Sequence, residues 1–240
     1  MRVIRKPRFL LVYPLAVWLF WVAAPTETTL RVGILFVLLG EIVRLWANGY
    51  VGHVKVNWTQ KWRDDPKIGQ LITGGPYAYV RHPLYLGTFL IGVGFCIIVG
   101  NVWLALVALG FFLMIYRRKM TQEEAILLDE WRDAFERYRQ AVPRWLPTGR
   151  RNPHPHGQWS WQGIRASKEL KTFVWVLVLL IGMYFRGELL NEHESFLHHH
   201  GFKHVLLLAL MVILILSDVT YELVHRWRRR QSRAIVQEAS

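Results

Sequence analysis

The 240-residue chain is 52% apolar and 20% charged, yet it carries a formal net charge of +13, with a pI near 10.2 and a mean hydropathy of +0.18. A soluble protein this basic would point to nucleic acid, but the basic residues cluster between apolar runs, as loops on the cytoplasmic side of a membrane do. Cys96 is the single cysteine, which excludes an internal disulfide framework and a cysteine-based zinc site.

Six apolar runs, at approximately 9–24, 29–47, 84–100, 102–116, 172–186 and 203–224, predict an all-α fold. The expectation is a polytopic membrane helical bundle of about six transmembrane helices, since a span takes about 20 apolar residues. The first run ends in Val22-Ala23-Ala24, which resembles a signal cleavage site; we read it as the first span. The second run contains Glu41 and Arg44, three apart and able to pair, and a structural pair is the plainer reading. Basic residues from Lys55 to Arg81 follow it. Trp58 and Trp62 in that loop suggest a substrate gate.

A Gly75-Pro76 turn then leads into Arg81-His82-Pro83 and the third run. Pro83 suits the first position of a helix, where its missing N–H is no loss. A cation, an imidazole and two tyrosines, Tyr77 and Tyr85, are thus gathered at the mouth of a span. Gly87 and Gly94 share one helical face, for which helix packing is the plainer reading. Gly100-Asn101 turns the third run into the fourth.

After the fourth run come Arg117, Arg118 and Lys119, then Glu123 and Glu124. Lys119 and Glu123 are four apart and share a face; a solvated ion pair is the bland alternative to a site. Residues 120–142 alternate apolar and charged positions at helical spacing, predicting an amphipathic helix at the cytoplasmic interface that ends at Val142-Pro143. Residues 149–171 read as a cytoplasmic linker and 172–240 as a C-terminal transmembrane hairpin with a basic tail, leaving 1–148 as the core. Asp218 in the last run has no evident partner. The segment with Glu188, Glu192, His193, Glu194, His198, His199, His200 and His204 lacks fixed ligand spacing, so a polar loop is its default and no metal site is assigned. The distribution of Lys and Arg places both termini in the cytoplasm.

The motifs Leu71-Ile72-Thr73-Gly74-Gly75-Pro76-Tyr77, Arg81-His82-Pro83-Leu84-Tyr85-Leu86-Gly87, Glu123-Glu124 and Val142-Pro143-Arg144-Trp145-Leu146-Pro147 occur in order. Together they resemble the isoprenylcysteine carboxyl methyltransferase family, related to phospholipid N-methyltransferases. The resemblance covers approximately residues 30–148. It implies a membrane-embedded, S-adenosylmethionine-dependent methyltransferase with a lipophilic acceptor entering from the bilayer. It implies cofactor contacts by Gln70, Leu71, Ile72, Tyr77, His82, Pro83, Leu84, Tyr85 and Glu123, and the charge of Arg81, with His82 and the helix N-terminus, suits the cofactor carboxylate. Gly92 and Gly94 resemble the glycine pair of the phospholipid enzymes, and Glu124 completes their acidic pair. Lys119 stands where the family has a substrate-binding arginine. With Arg117 it is the candidate for catalysis, although a lysine lacks arginine's bidentate fork. Arg44-Leu45-Trp46-Ala47 resembles bacterial members, which implies a bacterial inner membrane. The positive surface favours an anionic acceptor, or a neutral thiol or hydroxyl, over an amine. The hairpin is an expected oligomer contact, and no nucleic-acid partner is expected. Two alternatives stay open: an NADPH-dependent reductase resembling the sterol reductases, and a non-catalytic membrane scaffold.

Overall fold

The computed structural model describes residues 20–51, 71–167, 169–191 and 201–238. These residues are helical with intervening turns and contain no strand. The elements are α1 (Glu27–Val51), a 3-10 turn (Gly75–Ala78), α2 (Pro83–Val99), α3 (Val102–Ala141), α4 (Trp161–Ser167), α5 (Glu169–Asn191) and α6 (Gly201–Glu238). Most of the first apolar run, Gln70, the Trp58 and Trp62 gate, and the segment from Glu192 to His200 lie outside the described residues.

Local chemistry sets the helix ends. Before α1, Thr26 and Thr29 cap one another: the Thr29 amide donates to the Thr26 hydroxyl at 3.3 Å and the Thr26 amide to the Thr29 hydroxyl at 2.8 Å. Helix α2 starts at Pro83 and stops at Gly100, whose left-handed φ of 73° lets its amide reach the Cys96 and Ile97 carbonyls. Asn101 caps α3 by accepting from the Leu104 amide at 3.0 Å. The expected α2–α3 hairpin therefore forms through Gly100-Asn101.

Helices α1 and α2 pack along two glycine contacts, Gly33 on Gly94 and Gly40 on Gly87. A Cβ on Gly40 would lie 2.6 Å from the Gly87 carbonyl oxygen, so only glycine permits this backbone approach. Gly94 is committed to this seam, and a Cβ on Gly92 would meet nothing within 4 Å. Gly94 thus faces α1 within this seam.

The amphipathic stretch 120–142 is not a separate helix. Its first half continues the helix that begins at Val102, and the backbone breaks at Arg132, where φ is 31° and ψ −107°, before a second helical piece runs to Ala141. Residues Phe135, Tyr138 and Val142 form a buried cluster with Leu71, Leu127 and Trp131 packed against it. The segment expected to be a linker is tied down as well. The Thr73 and Gly74 amides donate to the His156 carbonyl at 2.9 and 2.7 Å, Asn152 to Ala78 at 2.8 Å, and Ser160 to Gly49 at 2.9 Å. Backbone pairing of this kind holds an irregular segment against the core, because buried amides need partners.

The chain divides into two compact units, residues 1–169 and 170–240. In the second, Asp218 accepts from Trp175 Nε1 at 3.2 Å and pairs with Lys171 at 3.1 Å, giving that carboxylate the partners the sequence did not reveal. Among the described residues, two stretches are long and apolar enough to cross a membrane, Glu169–Glu188 and Gly201–Tyr221; Pro83–Val99 is a shorter apolar helix. Exposed apolar side chains, among them Trp103, Val107 and Phe111 on α3 and Phe202, Leu206 and Ile213 on α6, suit a lipid surround. The chain is therefore read as a membrane protein.

Candidate active site

The site is built where α2 begins and α3 leaves the apolar zone. The Arg81 amide donates to the Pro143 carbonyl at 2.9 Å, which ties the loop before α2 to the end of α3. Tyr138 makes a second tie, its hydroxyl donating to the Tyr77 carbonyl at 2.7 Å. Two elements distant in sequence are thus fixed with Arg81 and His82 facing Glu123 and Glu124.

Glu124 is the hub of a closed ion cluster. His82 Nε2 lies 3.0 Å from Glu124 Oε1. Arg144 binds both oxygens, with Nε 3.0 Å from Oε1 and Nη2 on Oε2. Arg81 Nη1 is also 3.0 Å from Oε1 as an ion pair. Burial would raise the Glu124 carboxyl, but the His82 and Arg144 hydrogen bonds and the Arg81 charge overrule it and hold it at about 2. An ionised carboxylate only accepts, so His82 Nε2 carries the hydrogen. His82 is buried at 6% exposure. It therefore has a packing role that its place at a helix mouth did not imply.

Glu123 is differently placed. It accepts from the Tyr85 hydroxyl, and its Oε2 is 3.8 Å from His82 Nδ1. Burial pushes its carboxyl up, against the pull of Tyr85, His82 and Lys119. Lys119 lies over the Tyr85 ring, 5.1 Å from its centroid, and over Tyr116 at 5.9 Å. Among the described residues, Glu123 thus retains acceptor capacity beyond the Tyr85 hydrogen bond. Arg81 supplies the complement: its Nε and Nη1 are buried and make no hydrogen bond, Nη1 approaching Glu124 without bonding geometry. An acceptor-only carboxylate beside buried, unfilled guanidinium donors suits a ligand that carries both an ammonium and a carboxylate.

Of the other expected residues, Pro83 is fully buried and Tyr77 is 9% exposed. Burial holds the Tyr77 hydroxyl above its usual range, with the charges of Tyr138 and Glu123 adding to it. Leu84 is half-buried one position into α2, and Ile72 is half-buried beside Gly157. Leu71 lines a cleft of about 750 Å³ with Thr73, Trp131, Tyr138, Asn152 and His154. Arg117 is exposed. The pairing expected of Glu41 and Arg44 is replaced: Arg44 Nε and Nη2 grip Glu169 at 2.5 and 3.0 Å, and Nη1 donates to Thr88. The reason is geometric, since Glu169 offers both oxygens to the guanidinium fork and a neighbour three positions away does not. Sequence reading missed the roles of Arg144 and Tyr116. Arg144 carries no local pattern of its own, whereas Tyr116 could have been found by its spacing of three and seven from Lys119 and Glu123.

Residues 32–129 match the model of the isoprenylcysteine carboxyl methyltransferase (ICMT) family. Through these residues the chain is similar to that family. The match takes in most of α1, Arg81, His82, Lys119 and both glutamates. The chain is 32% identical over 112 residues to the protein-S-isoprenylcysteine O-methyltransferase of Schizosaccharomyces pombe, 47% of each chain. It is 31% identical over 133 residues to that of Homo sapiens, 54% of this chain and 45% of the relative. It is 28% identical over 127 residues to the nickel-cobalt-cadmium resistance protein NccN of Alcaligenes xylosoxydans xylosoxydans, 53% of this chain and 52% of the relative. The chain thus spans about half the length of the curated relatives it matches. No solved structure matches it.

Proposed function

We propose that this chain is an integral membrane methyltransferase that uses S-adenosylmethionine and acts on a lipophilic acceptor at the cytoplasmic face. The observation that carries the reading is the half-buried Glu123 carboxylate, with acceptor capacity to spare, near the buried Arg81 guanidinium, which is ion-paired to Glu124 through Nη1 but whose Nε makes no hydrogen bond. Glu123 would hold the ammonium of the methionyl moiety, and Arg81 its carboxylate. The cofactor supplies an activated methyl group when bound. The chain's residues do the remaining work: Tyr85 fixes Glu123, His82 stacks on Tyr85, and the surrounding aromatics keep water from the reacting centre.

The acceptor follows from charge. Arg117 and Lys119 make the rim of the site positive, which suits a carboxylate on an isoprenoid-like tail, as the relatives' names suggest, and disfavours an already charged amine. A carboxylate acceptor needs no proton removed, so the transfer calls for no dedicated base. In this reading Lys119 positions the acceptor, and the six-span topology with both termini in the cytoplasm puts the site at the inner leaflet of a bacterial inner membrane. The C-terminal hairpin offers a surface for oligomerisation.

Titration of the purified full-length protein in detergent with S-adenosylhomocysteine, and separately with NADPH, tests the reading. Binding of the first and not the second is expected. NADPH binding without S-adenosylhomocysteine binding would favour a reductase, and binding of neither would favour a scaffold.

A further inference from the structure

Tyr85 and Tyr116 form an aromatic corner, their ring centroids 4.9 Å apart and the planes inclined by 59°. Phe112 stacks on the outer side of Tyr116 at 4.1 Å, and His82 stacks on Tyr85 at 5.6 Å, so both rings are held in place from behind. The corner faces Lys119, whose ammonium lies over both rings although the residue is exposed and its stem is free to reach water. A cation settles there because two ring faces and the Glu123 carboxylate lie together, and a desolvated aromatic face attracts positive charge.

We infer that this corner is the seat of the cofactor's sulfonium, that Tyr116 contributes a cation–π face to it, and that Lys119 occupies the same seat when the cofactor is absent. The inference rests on the S-adenosylmethionine reading above and adds to it a residue, Tyr116, and an exchange between two cations. The lysine vacates the corner when the sulfonium enters. Its released ammonium then lies at the rim, where an anionic acceptor arrives, so cofactor entry prepares the acceptor site. A neutral thioether gains nothing from the ring faces and does not displace the lysine as well.

The distinguishing quantity is therefore the ratio of affinities for S-adenosylmethionine and S-adenosylhomocysteine, measured by calorimetry on the full-length protein in nanodiscs. Tyr116→Leu should lower the preference for the sulfonium roughly twofold to thirtyfold, the range that a cation–π contact spans. Tyr116→Phe keeps the ring and should keep the ratio. Lys119→Met removes the competing cation and should raise it, which provides a test even where Tyr116→Leu fails to fold. An unchanged ratio in Lys119→Met, or in Tyr116→Leu with both ligands still bound, overturns the inference and leaves the cofactor reading intact. Equal losses in Tyr116→Phe and Tyr116→Leu would assign the effect to the hydroxyl and also overturn it. A wild-type protein that binds neither ligand removes the cofactor reading itself.

Discussion

Glu123 and Glu124 are consecutive on α3 but belong to two regions built on different plans. Around Glu124 the charges are closed upon one another: Arg81, His82 and Arg144 converge on one buried carboxylate. Around Glu123 the surroundings are aromatic and open, with Tyr85, Tyr116 and an exposed lysine. A closed cluster fixes a loop to a helix, because both oxygens of its carboxylate are taken up by protein groups. An open one leaves binding capacity for something else. The lesson is that two adjacent acids need not share a task, and that the number of protein partners separates a carboxylate that is closed off from one that keeps acceptor capacity.

The largest effect should come from opening the closed cluster. Glu124→Ala would leave Arg81 and Arg144 without their shared anion and should cost about 3–5 kcal/mol, as breaking a buried ion pair does. Thermal unfolding followed by tryptophan fluorescence in detergent checks this. A variant as stable as the wild type would show that the cluster does not hold the loop to α3.

Next in size is the open region. Glu123→Gln keeps the shape and the Tyr85 contact but removes the charge, which should cost about 1.5–3 kcal/mol of S-adenosylhomocysteine binding. The unfolding midpoint should barely move. Calorimetric titration compares this variant with Glu124→Gln; equal stability losses in the two would merge the regions.

The two carboxylates should also separate by pH. Glu124 is held at about 2 against an ordinary 4.5. Its contribution to stability is complete above about 4.5 and is lost as pH falls toward 2, so Glu124→Gln should flatten the acid limb of the unfolding midpoint. Glu123 runs the other way. Its carboxyl is raised by burial, so protonation relieves a cost instead of removing a stabilisation. Ligand binding that needs the ionised form should therefore fade at a higher pH than an ordinary glutamate would dictate. Binding that persists unchanged through the ordinary carboxylate range would contradict this.

The smallest effect is expected at the tie between the regions and the turn. Tyr138→Phe removes the hydrogen bond to the Tyr77 carbonyl, a change of about 0.5–1.5 kcal/mol in unfolding free energy. No change at all would mean that the turn is held by its other contacts.

Much of this was legible in the sequence. The starts of α2 and α3 follow from Pro83 and Asn101, and the apolar runs place the helices, because these signals are local. The pairing of Arg81 and His82 with the two glutamates could be expected only from the order of the motifs, since forty residues separate them. Three features were not legible. Arg44 seeks Glu169, 125 positions away, and no local spacing encodes that. The glycines of α2 could serve a ligand or a neighbouring helix, and only the presence of Gly33 and Gly40 across the seam decides it. The segment after Pro147 has the composition of a linker but is pinned by backbone hydrogen bonds, which any sequence can make.

The central claim is that Glu123 serves a ligand and Glu124 serves the fold. The most direct measurement is the unfolding midpoint of wild type, Glu123→Gln and Glu124→Gln, each with and without saturating S-adenosylhomocysteine. The account predicts that Glu123→Gln melts with the wild type when no ligand is present and gains little or nothing from the ligand. It predicts that Glu124→Gln melts lower from the outset. A Glu123→Gln protein that gains as much from the ligand as the wild type would contradict it.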